Sequence, residues 1–118
     1  MRRLLTIVGS TLVVAAGLFS LNASNAQAAS CTALTNGSLC ISSDPSGYQA
    51  SYTKSAGTAV TVDFNLKCTN GLWFGDNGSF VISAGQTRTY VFAVGSRGSC
   101  VVALIQGSTT YYSPSLSR

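Results

Sequence analysis

The stretch Val60-Thr61-Val62-Asp63-Phe64-Asn65-Leu66-Lys67-Cys68 decides the fold. Val60, Val62, Phe64, Leu66 and Cys68 share one parity, and Thr61, Asp63, Asn65 and Lys67 share the other. Unbroken period-two alternation puts one face of a strand on a core and the other in water. Cys68 lies on the buried parity. Asn70-Gly71 follows, a strong short-range hairpin signal, and Leu72-Trp73-Phe74 is the return strand, ended by Gly75-Asp76-Asn77-Gly78. Further out, Ser79–Ser83 and Thr87–Val94 read as strands. Cys100–Ile105 is apolar on both parities, as a strand covered on both sides would be. Thr109–Ser113 follows the Gln106-Gly107 turn, and upstream Tyr48, Ala50 and Tyr52 alternate with Gln49, Ser51 and Thr53. No stretch after the N-terminal segment keeps apolar residues at three-and-four spacing for three turns. About seven short strands with frequent turn signals predict an all-β, small antiparallel β-sandwich. The loosest part is Ala29 to Gly47, where Thr35-Asn36-Gly37-Ser38 and Ser43-Asp44-Pro45-Ser46-Gly47 read as turns.

The N-terminus carries a different signal. Arg2 and Arg3 precede a mostly apolar run from Leu4 to Leu21, and Ala26-Gln27-Ala28 ends the segment. This is the order of a secretory signal peptide cut after Ala28, leaving residues 29–118 as one secreted domain. In that domain five Lys and Arg (Lys54, Lys67, Arg88, Arg97, Arg118) against three Asp (Asp44, Asp63, Asp76) leave a net charge of +2. The basic residues form no run, so neither nucleic acid nor an anionic membrane is the expected partner.

Export supplies an oxidising compartment, and a domain this small gains much from cross-links. Cys31, Cys40, Cys68 and Cys100 allow three pairings. The expected one is Cys31–Cys40 with Cys68–Cys100. The first closes a hoop around Thr32 to Leu39, and the second ties two core strands by a bridge across the core.

The chain has no His and no Glu, so most general acid–base chemistry and the usual zinc sites lack their side chains. No cofactor, metal or catalytic residue is expected. Ser51-Tyr52-Thr53-Lys54 matches S-x-x-K, but residues three apart on a strand face opposite ways. A glycosidase pair would have to come from the three Asp, two of which sit at turn positions. Binding residues are easier to name. Trp73 and Phe74 are neighbours on a strand, so one ring points in and the other out. The same holds for Tyr111 and Tyr112. The hoop offers Leu34, Thr35, Asn36 and Leu39 as a rigid insert that loses little entropy on binding.

The exported β-rich format resembles small secreted actinomycete β-sandwich proteins. Thr58-Ala59-Val60-Thr61-Val62 running toward Cys68, and Ala84-Gly85-Gln86-Thr87 between Cys68 and Cys100, are distantly similar to tendamistat-type α-amylase inhibitors. That resemblance implies a two-disulfide sandwich that blocks a secreted hydrolase through a Trp-Arg-Tyr hairpin; here Trp73 is followed by Phe74, with no Arg beside it. In overall format the chain is also similar to the adaptor subunit of umbrella toxin particles, which implies a role joining larger extracellular subunits. The leading expectation is therefore a secreted, non-catalytic protein-interaction module. It would be an adaptor or accessory subunit of an extracellular complex such as an antibacterial toxin particle, with another secreted protein as partner. An inhibitor of a secreted hydrolase comes next, and a cell-wall or polysaccharide binder using Trp73 and the tyrosines comes third.

Overall fold

The computed structural model describes residues 28–76 and 78–118; the expected signal segment lies almost wholly outside them. The described residues form ten strands in two antiparallel sheets, with no helix. In chain order the strands are β1 (Ser30–Leu34), β2 (Gly37–Asp44), β3 (Gly47–Lys54), β4 (Val60–Cys68), β5 (Trp73–Gly75), β6 (Phe80–Ile82), β7 (Thr87–Phe92), β8 (Ser99–Gln106), β9 (Thr109–Tyr112) and β10 (Leu116–Ser117). The all-β, two-sheet, two-disulfide architecture agrees with the sequence reading; the strand number is higher. The additional strands come from two places. Residues expected to be loose, Ala29 to Gly47, form β1 and β2, and the edges of the larger sheet are built from short pieces.

One sheet has the order β1-β2-β3-β7: the first three strands are successive hairpins, and β7 joins β3 after the chain has crossed to the other sheet and back. Two-residue turns make its hairpins: Leu34 pairs with Gly37 around Thr35-Asn36, and Asp44 with Gly47 around Pro45-Ser46. Asp44 suits the second turn because its Oδ2 accepts from the Ser46 amide at 3.0 Å and from the Ser46 hydroxyl at 2.6 Å. Gly47 begins β3 against β7 so closely that a Cβ there would strike the Phe92 carbonyl.

The other sheet is centred on the long β4–β8 pair, in register from Asp63↔Ile105 to Cys68↔Cys100. The outer edge of β4 is shared by β6 at Val60–Val62 and β5 at Asn65–Lys67. The outer edge of β8 is shared by β9 at Ala103–Gln106 and β10 at Ser99–Cys100. Between those pieces Ser113 completes the edge. Its amide donates to the Val102 carbonyl at 2.9 Å, and its hydroxyl accepts from the Val102 amide at 2.8 Å. Asn70-Gly71 makes the expected tight return, with Gly71 at φ 85° and Gly71 N–H donating to the Cys68 carbonyl at 3.0 Å.

The core is the seam between the sheets. Leu39, Ile41, Tyr48, Ala50, Tyr52 and Phe92 face Val62, Phe64, Leu66, Ile82, Val102 and Leu104, with Cys68 and Cys100 among them. Tyr48 pins the seam at one end. Its hydroxyl donates to the Gly98 carbonyl and accepts from the Arg97 amide, both at 2.8 Å.

Both disulfides join register partners on neighbouring strands, at a Cα separation of 4.0 Å. The pairing is the expected one, but two details differ. Cys68–Cys100 does not cross between sheets; it lies within one sheet on its inner face. Cys31–Cys40 closes no free hoop, because the residues between them are hydrogen-bonded strand except for the turn.

Candidate functional site

Strand parity sorts the expected binding residues into three environments. Trp73 pairs with Lys67 and Tyr112 with Ala103, so both rings stand on the outer face of the larger sheet. They are 50% and 43% exposed. Lys67 lies between them, its Nζ 5.4 Å from the Trp73 ring centroid and 5.8 Å from that of Tyr112. Such distances are those of cation–π attraction, worth about 0.5–1 kcal/mol each at exposed positions. Exposed Leu72 extends the patch, and beside it a shallow hollow of about 280 Å³ is lined by Lys67, Thr69, Ser99, Val101, Tyr112 and Ser115. The Cys68–Cys100 disulfide lies behind this face and ties its two central strands together.

The opposite parity sends Phe74 and Tyr111 inward, where both pack half-buried against the core. The Arg97 guanidinium lies 5.7 Å from the Phe74 centroid.

The third group is the β1–β2 hairpin. Leu39 is completely buried and has no surface to offer a partner, contrary to the sequence expectation. Its parity is that of Ile41, and it is Cys40 that faces away from the core. Leu34, Thr35 and Asn36 lie at the hairpin tip and line a small hollow of about 80 Å³, together with Tyr52, Lys54 and Tyr111. The expected site is therefore not one surface. Trp73 and Tyr112 share a face, whereas Thr35, Asn36 and Tyr111 meet elsewhere.

Three features escaped the sequence reading. Lys67 between the two rings needed the β4–β5 and β4–β8 registers together. Lys54 did carry a signal, since it continues the buried parity of Tyr48, Ala50 and Tyr52. The third is a carboxyl pair: Asp63 is held by Asp76, which follows β5. Burial, then the hydrogen bond to Asp76, then the charge of Asp76 raise the Asp63 carboxyl to about 6. Its Oδ1 is buried without a hydrogen-bond partner. The S-x-x-K residues are split as strand geometry requires: Lys54 points into the seam, and Ser51 lies on the opposite parity, paired across the sheet with Cys40 and Thr89. Among the described residues no three His, Cys, Asp or Glu side chains gather as a metal site, and no helix is long and apolar enough to cross a membrane. Two formed disulfides with no free thiol point to an oxidising, extracellular setting. Comparison of the chain with family models, curated proteins and solved structures returned no match.

Proposed function

We propose that this chain is a secreted, non-catalytic protein-interaction module, an adaptor or accessory subunit of an extracellular complex, which docks through its Trp73–Lys67–Tyr112 face. The observation that carries the reading is two large aromatic rings standing exposed on a disulfide-backed sheet around one cation. Trp and Tyr are among the residue types that dominate protein-interface energetics. A sheet loses little entropy when its partner arrives. Secretion is supported by the basic, apolar and Ala-Gln-Ala order of the first 28 residues together with the two disulfides.

The Lys67 ammonium sits over one face of both rings; sugar stacking would use the opposite faces, so a polysaccharide partner is the second reading that the test addresses.

The test is a pulldown from culture supernatant of the producing organism with tagged mature chain, run beside Trp73→Ala and Tyr112→Ala. The expected result is a stoichiometric secreted partner whose affinity falls about thirtyfold in Trp73→Ala, since a buried hot spot is worth about 2 kcal/mol or more. Both variants should melt with the wild type. Undiminished capture by the double variant overturns the face. A chain that sediments with cell-wall polysaccharide and brings down no protein overturns the function.

A further inference from the structure

Lys54 ends β3 with its side chain directed between the sheets, and it is only 1% exposed. An ammonium has three N–H donors; here one goes to the Ala56 carbonyl at 2.6 Å. A buried cation without a counter-charge is costly. None of the three side-chain carboxyls pairs with Lys54. Asp44 holds Ser46 at the far end of the β2–β3 hairpin, Asp76 accepts from the Gly78 amide at 2.9 Å, and Asp63 neighbours Asp76. Next to Lys54 the sheets part around the hollow of about 80 Å³, whose polar lining is Asn36, Gln106, Tyr52 and Tyr111, with Leu34 and Leu104 as apolar walls. One water needs about 10–15 Å³ of such space, so a larger polar group has room.

The local backbone is shaped to keep these head groups together. Ser55 N–H donates to the Asn36 carbonyl at 2.7 Å, folding residues 55–57 over the lysine. Gly57 has φ +83°, and a Cβ there would lie 2.9 Å from Asn36 Nδ2 and 3.2 Å from Lys54 Nζ. A side chain at that position would push into both donors.

We infer that this hollow is a receptor for a single carboxylate, held by the Lys54 ammonium with the Asn36 and Gln106 side-chain amides as second donors. The carboxylate is an acidic side chain or a chain terminus of a partner. It supplies the missing counter-charge, and charge-assisted hydrogen bonds of this kind are the strong ones. The site is separate from the Trp73 face, because Tyr111 and Tyr112 project to opposite sides of β9.

The experiment is a titration of the mature chain followed by NMR at the Asn36 and Gln106 side-chain amides. The probes are sodium acetate, aspartate blocked at both ends, and N-acetylglycine, with acetamide and sodium chloride as controls. Saturable shifts with the carboxylates and none with the controls are expected. Lys54→Met should weaken binding at least about tenfold, about 1.4 kcal/mol, and keep the fold, because an apolar chain of similar length suits a buried site. Gln106→Ala should weaken it without touching the lysine. Tighter binding of blocked aspartate assigns the site to a side chain, and tighter binding of N-acetylglycine assigns it to a terminus. Trp73→Ala should leave these shifts intact, so this site and the aromatic face fail separately. Shifts that do not saturate, or that persist unchanged in Lys54→Met, overturn the assignment. So does a Lys54→Met variant that melts lower while acetate leaves the wild-type spectrum unmoved, since Lys54 is then only a clamp on residues 55–57.

Discussion

Single side chains in this protein do work that longer loops do elsewhere. The Tyr48 phenol serves both sheets, donating to Gly98 and accepting from Arg97 across about half the chain. Tyr48→Phe leaves a backbone amide without its acceptor, and the cost should be about 1–3 kcal/mol, read as a lower denaturation midpoint with unchanged slope. Asp63 gives the pH dependence. Its carboxyl is raised from 3.8 to about 6 in the folded state, so the folded chain binds its proton more tightly than the unfolded chain does. Stability from this group is fully present below 3.8 and is lost as pH rises through about 6. The melting temperature should therefore fall across that window in the wild type and stay flat in Asp63→Asn. Asp44, held below its ordinary value by the Ser46 hydroxyl and then the Ser46 amide, acts below that window.

At the scale of elements, the larger sheet depends on how its broken edges are finished. β8 is covered by β9, then by the Ser113 hydroxyl, then by β10. Ser113→Ala strands the buried Val102 amide and should cost about 1–3 kcal/mol, or several degrees of melting temperature. The two disulfides should differ in the same assay. Cys68–Cys100 spans 32 residues and Cys31–Cys40 spans 9. The chain-entropy model gives about 3–4 kcal/mol for the longer loop and about 2–3 for the shorter. Replacing the inner pair by Ala should therefore destabilise more than replacing the outer pair. The β4 alternation and the Asn70-Gly71 turn were legible because each is a local rule, whereas the cysteine pairing was one choice among three that rested on placing Cys68 and Cys100 on two core strands. The strands β1 and β2 were not. Their Ser, Thr and Gly content reads as loop, and only pairing with β3 makes them sheet. The in-and-out order of Trp73-Phe74 and Tyr111-Tyr112 follows from parity, but which member points out depends on register, which no local pattern carries. Leu39 was misjudged for the same reason.

Across the whole molecule, charge is handled without many acids. Lys67, Arg88, Arg97 and Arg118 each lie over an aromatic ring, at 4.4 to 5.9 Å, and Lys54 is the one basic side chain of the described residues kept in the seam. The same distribution has a consequence for survival among secreted proteases. A trypsin-like enzyme cuts after Lys or Arg and needs an extended, detachable segment. Lys54 is buried, while Lys67 and Arg88 are held in strands. Arg97 is the internal basic residue of the described chain that sits in a connection, and there its amide is held by the Tyr48 hydroxyl and its Nε donates to the Val94 carbonyl at 2.8 Å. The phenol that joins the sheets thus also guards the Arg97–Gly98 bond, and Tyr48→Phe should be nicked after Arg97 under trypsin doses that leave the wild-type described residues whole.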